Sequence, residues 1–86
     1  MTFRWLHPIS LALYPVIFDM DPALRATAVA EELSNSQTSE WLSSLVSEIE
    51  LEIADPTQDL SVMLDCRASD AQLRDFLRRV AKHLQT

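Results

Sequence analysis

Apolar residues recur along this chain with two periods, and they change over twice. Ile9, Leu11 and Leu13 alternate with Ser10, Ala12 and Tyr14, and the run stays apolar through Val16, Ile17 and Phe18. Alternation with period two predicts a buried strand over 9–18, with an irregularity at Pro15. Pro8 and Pro15 argue against one continuous helix there. Asp21-Pro22 then predicts a helix start: Asp21 as the cap and Pro22 at the first helical position. Strong helix formers follow as far as Leu33, and the polar cluster Ser34-Asn35-Ser36 predicts the stop.

A second helix begins at Thr38 or Ser39, either of which can cap. Trp41, Leu42, Leu45 and Val46 supply its apolar stripe. Its end is ambiguous. Ile49 and Ile53 continue the helical stripe, yet Ile49, Leu51 and Ile53 also alternate with Glu48, Glu50 and Glu52 without an error. Leu51 fits only the strand pattern and decides the expectation for strand, against the helix propensity of Glu and Leu. Asp55-Pro56-Thr57-Gln58-Asp59 reads as a turn. Leu60, Val62 and Leu64 then alternate with Ser61, Met63 and Asp65, which completes a hairpin.

The last helix carries the clearest signals. Ser69 and Gln72 form a capping box, and Leu73, Phe76, Leu77, Val80, Ala81 and Leu84 recur on one helical face. Asp70 and Asp75 each precede an arginine by four residues, the favourable direction for an ion pair. The expected fold is therefore a single α+β domain over residues 1–86. Its order is β-α-α-β-β-α, with a three-stranded sheet packed by helices on one face. The alternative, if 48–53 is helical, is a small all-α bundle.

Composition narrows function mainly by exclusion. The chain has no glycine, so a dinucleotide-binding fingerprint, a P-loop, a nucleophile elbow and an EF-hand loop are all absent. Any turn that needs positive φ must use Asn35 or an Asp. The single cysteine, Cys66, forbids an intramolecular disulfide and suits a reducing, cytoplasmic setting. The apolar run 9–18 is too short to span a bilayer.

Charge changes the picture more. Between Arg25 and Arg67 lie nine carboxylates and no Lys or Arg, whereas residues 67–86 hold Arg67, Arg74, Arg78, Arg79 and Lys82 against Asp70 and Asp75. On a strand, Glu48, Glu50 and Glu52 would form one acidic row, a docking face for a basic protein surface or simply a solvated face. Arg74, Arg78 and Lys82 form a basic stripe on the last helix, and the net charge of −6 argues against nucleic acid as its partner. The basic helix of one copy meeting the acidic face of another is a further reading. Cys66 next to Arg67 invites a nucleophile reading, but its only candidate bases, His7 and His83, lie near the chain ends. The same residues lack the spacing of a zinc site. Tyr14, Phe18, Trp41 and Phe76 are expected in the core, whereas Phe3 and Trp5 read either as an exposed anchor or as core or strand-end packing.

The expectation from sequence is a non-enzymatic, macromolecule-binding protein of the inhibitor, immunity, anti-defence or adaptor type. It would contact a protein partner of basic surface through Glu48, Glu50, Glu52, Phe3 and Trp5. No catalytic residue, metal or cofactor is expected, nor a membrane span or nucleic acid. A self-assembling subunit with the N-terminal segment at the interface is the alternative.

Overall fold

The computed structural model describes residues 8–56, 59–63 and 65–85, and every regular element among them is helical. Helix α1 spans Pro8–Leu13 and runs into a 3-10 turn, Tyr14–Val16. A second 3-10 turn, Pro22–Arg25, leads into α2, Ala26–Ser36. Helix α3 spans Ser39–Ala54, α4 is the single turn Leu60–Met63, and α5 spans Asp70–Gln85. The α+β expectation is thus incorrect, and no strand occurs among the described residues.

Each misassigned segment has a physical reason. In the first, the buried residues are Ile9, Ala12, Leu13 and Val16, spaced i, i+3, i+4, i+7, while Leu11 of the supposed strand face is exposed. Pro8 opens the helix, where its missing N–H costs nothing, and Pro15 falls inside the 3-10 turn rather than in a ladder. In the third helix no Gly or Pro interrupts Ser39–Ala54, so extending an existing helix adds one hydrogen bond for each residue fixed, whereas a new element would need its own nucleus. Leu51 is the price of that continuity and stands 65% exposed. With 48–53 helical, the expected second strand has no strand to pair with, and Leu60–Met63 form one turn of helix instead.

Caps followed the sequence unevenly. The Thr38 hydroxyl accepts the Trp41 N–H at 3.1 Å. Ser69 and Gln72 make the reciprocal capping box: the Gln72 N–H reaches Ser69 Oγ at 3.3 Å, and the Ser69 N–H reaches Gln72 Oε1 at 3.0 Å. Asp21 makes no side-chain cap, and its turn is 3-10 rather than α-helical. Helix α2 continues through the Ser34–Ser36 cluster and ends at Gln37.

The core gathers on α5, which packs against α1, α2, α3 and α4. Phe76, Leu73, Leu77 and Val80 are fully enclosed with Leu13, Leu45, Ile49 and Leu60. A radius of gyration of 11.7 Å, against about 12 Å for a folded chain of this length, is what helices packed around one core require.

Candidate functional site

Helix α3 separates the three glutamates that a strand would have aligned. Glu50 is exposed and accepts a hydrogen bond from Gln85 Nε2 at 3.2 Å. Glu48 is half-buried. Glu52 is 5% exposed and occupies the inward face, one step beyond Leu45 and Ile49 on the helical stripe. Phe3 and Trp5 lie outside the described residues.

Burying Glu52 requires a counter-charge, and α5 supplies it. Arg74, only 12% exposed, gives Nη2 to the Glu52 carboxylate at 3.2 Å and Nη1 to the Glu52 carbonyl oxygen at 2.7 Å. Its Nε donates to Asp70 Oδ2 at 2.8 Å. Asp70 Oδ1 in turn accepts the Leu60 N–H at 2.8 Å. One guanidinium therefore ties the end of α3 to the start of α5, and through Asp70 to the first residue of α4. Burial pulls the Arg74 pKa down, but the hydrogen bonds it donates to Asp70 and Glu52, together with their negative charge, outweigh it and leave the pKa above its ordinary value.

Helix α4 ends in a feature the absence of glycine made expensive. Asp65 adopts φ 52°, the left-handed region. Its N–H bonds to the Val62 carbonyl at 3.3 Å, and the next N–H, of Cys66, to the Ser61 carbonyl at 2.7 Å. This is the Schellman pattern, with Asp where Gly is usual. At the other end of α4, Asp59 Oδ1 accepts both the N–H and the hydroxyl of Ser61. The Ser61 hydroxyl bond chiefly holds the Asp59 carboxyl below its ordinary value of 3.8.

Cys66 follows this turn, half-buried against the core. Burial, and then the Asp65 charge, raise its thiol above the ordinary 9.0. That is the opposite of what a nucleophile needs. The positive charge expected from Arg67 does not offset them. The Arg67 backbone N–H is spent on the Ile17 carbonyl at 2.9 Å, pinning the linker to the N-terminal segment.

The basic stripe divides in the same way as the acidic row. Arg74 is internal, whereas Arg78, Arg79 and Lys82 are exposed. Asp75 holds Arg79 at 2.9 Å and Arg78 more loosely at 3.9 Å.

Two aromatic residues expected in the core are outside it. Phe76 is enclosed and Trp41 packs half-buried against the core, but Tyr14 and Phe18 are exposed, Phe18 at 76%. Leu11, Tyr14 and Phe18, spaced i, i+3, i+7, face away from Ile9, Ala12, Leu13 and Val16. Testing the segment for a helical period would have revealed this second face. Five of the seven large apolar side chains exposed among the described residues fall between Leu11 and Leu24: Leu11, Tyr14, Phe18, Met20 and Leu24. Leu11, Tyr14 and Pro15 form one wall of an open groove of about 200 Å³. Val29 and Leu33 of α2 form the other, with Glu32 at the rim.

No protein-family model matches the chain, and neither a curated protein nor a solved structure is detectably similar to it. Among the described residues no helix is long and apolar enough to cross a membrane.

Proposed function

We propose that this chain is a non-enzymatic, cytoplasmic protein-binding domain of the inhibitor, immunity, anti-defence or adaptor type. Its contact surface is the groove between the α1 segment and α2, together with the exposed residues that continue from it toward Leu24. The observation that carries this reading is the concentration of exposed apolar side chains between Leu11 and Leu24. Isolated exposed apolar residues are ordinary, but a run of them beside a groove marks an interaction site. Tyr14 and Phe18 are suited to act as anchors, because a large aromatic ring covers much area at little entropic cost.

Charge selects the partner. Glu32 stands at the groove, and the neighbouring Glu31 adds to an acidic field that extends over a chain of net charge −6. A partner that places an apolar side chain in the groove and a Lys or Arg beside it satisfies both features, and the field steers its approach. The high thiol pKa of Cys66 also favours a binding role over a nucleophilic one.

The test compares three proteins as baits for a partner from the native host. Leu11→Ser/Tyr14→Ser alters the groove, and Leu51→Ser removes an exposed leucine from α3 as a control. All three substitutions lie at exposed positions, so helicity should be retained. The groove variant is expected to lose the wild-type partner by about 30-fold in affinity, the scale of a hot-spot residue. The control keeps it. Equal retention by all three would remove the groove from the account.

A further inference from the structure

On the opposite flank of α2, away from the apolar groove, a second groove opens against α5. Ala23, Ala26 and Thr27 form one side, and Arg78, Arg79 and Lys82 the other. Its cations exceed its anions: Asp75 is the carboxylate at its wall, and Arg78 and Arg79 share it. No ion pair engages Lys82 among the described residues. One helical turn beyond Thr27, on the same side of α2, stands the exposed Glu31, which likewise has no ion pair among the described residues. Leu24, in the same 3-10 turn as Ala23, is 84% exposed, the most exposed large apolar residue described.

Basic groove and carboxylate thus lie along one side of α2, with the exposed Leu24 in the turn that leads into it. A surface of this kind is complementary to itself when a second copy is turned through a two-fold axis, since each positive end then meets the other copy's negative end. We infer that this face pairs two copies of the chain. Arg78 and Lys82 of each copy would meet Glu31 of the other, and the Leu24 side chains would lie near the axis. The small residues Ala23, Ala26 and Thr27 permit close approach there.

A long polyanion fits the groove less well. A nucleic-acid backbone extending past it would run over the carboxylates of a chain of charge −6 within the roughly 8 Å reach of unscreened charge. The inference does not use the apolar groove, but it shares Leu24 and Glu31 with the proposed partner surface. The Leu11→Ser/Tyr14→Ser variant leaves the dimer face unchanged, so failure of one reading is told apart from failure of the other.

Sedimentation of the full chain from micromolar to near-millimolar concentration, at low and high salt, provides the test. Wild type is expected to dimerise at low salt and to weaken severalfold at high salt. Glu31→Lys leaves the face strongly net positive, and Arg78→Glu/Lys82→Glu turns it net negative. Each variant alone should weaken self-association by about tenfold or more, since two attractive contacts become repulsive at both ends of the axis. Mixed one to one, the two variants should dimerise again, because each then supplies what the other lacks. Helical circular dichroism of each variant checks that the fold is kept. A wild type that stays monomeric throughout overturns the inference, as does a mixture that fails to recover association. Binding of a polyglutamate peptide at the Arg78–Lys82 ridge of a strictly monomeric wild type would also overturn it, and would reassign the ridge to a different acidic partner.

Discussion

At the first turns of α5, Arg74 is enclosed by Glu52, Asp70 and the end of α3, with each nitrogen of its guanidinium engaged. One and two turns further on, Arg78 and Lys82 project into solvent from the same helix. The residue types are nearly the same and the consequences are opposite. A buried charge is bound to its partners by the cost of leaving them, so it fixes how helices meet. An exposed charge near a loose or absent partner contributes little to the fold and remains available to another molecule. The carboxylates divide likewise: Glu52 belongs to the interior, and Glu31 and Glu32 to the surface. The segregated field that the sequence displays therefore overstates what a partner meets, because part of each charge row is consumed inside.

This contrast can be broken at several points. The largest effect is expected at Glu52. Glu52→Leu takes a carboxylate away from the enclosed Arg74 guanidinium and should cost about 3 kcal/mol or more in urea unfolding. Adding Arg74→Met should recover much of that loss, because the enclosed charge goes with it. A double variant as unstable as the single would mean that packing, not charge, dominates the site.

Next is the capping box. Ser69→Ala should cost about 1 kcal/mol by removing the hydroxyl acceptor at the start of α5. A smaller effect of opposite sign is expected at the end of α4. Asp65→Gly relieves a left-handed residue and should raise stability by up to about 1 kcal/mol, net of the greater freedom of the unfolded chain.

The smallest effect is expected at Asp59 and is legible only against pH. Its folded pKa lies below 3.8, so its contribution is complete above the unfolded value and is lost as pH falls through the folded one. Asp59→Asn should therefore differ from wild type in unfolding midpoint near neutral pH and converge with it below about pH 4. A difference that stays constant with pH would show that the carboxylate charge plays no part.

How much of this was written in the sequence differs by element. Helix α5 was readable because its apolar stripe, capping box and ion-pair spacing all agree. The α1 segment and 48–53 were not, for a shared reason: short apolar runs satisfy both periods, and alternation is the more conspicuous. At 48–53 the deciding fact is non-local. Glu52 occupies an inward position, where Arg74, 22 residues away, meets it. No local pattern shows that a carboxylate will be buried, since the usual expectation for Glu is the surface. The same error placed Tyr14 and Phe18 in the core, because a strand buried on both faces has no exposed side to assign them. The positive φ at Asp65 was foreshadowed, because a chain without glycine must use Asn or Asp for such a turn.

The most direct test of the central claim, that charges at the two ends of α5 serve different ends, is a paired urea unfolding of Arg74→Met and Arg78→Met at neutral pH. Arg74→Met should lose about 3–5 kcal/mol, because it removes the guanidinium that faces the buried Glu52 carboxylate, and Arg78→Met should stay within about 0.5 kcal/mol of wild type. Equal losses for the two variants, or a larger loss for Arg78→Met, would contradict the account.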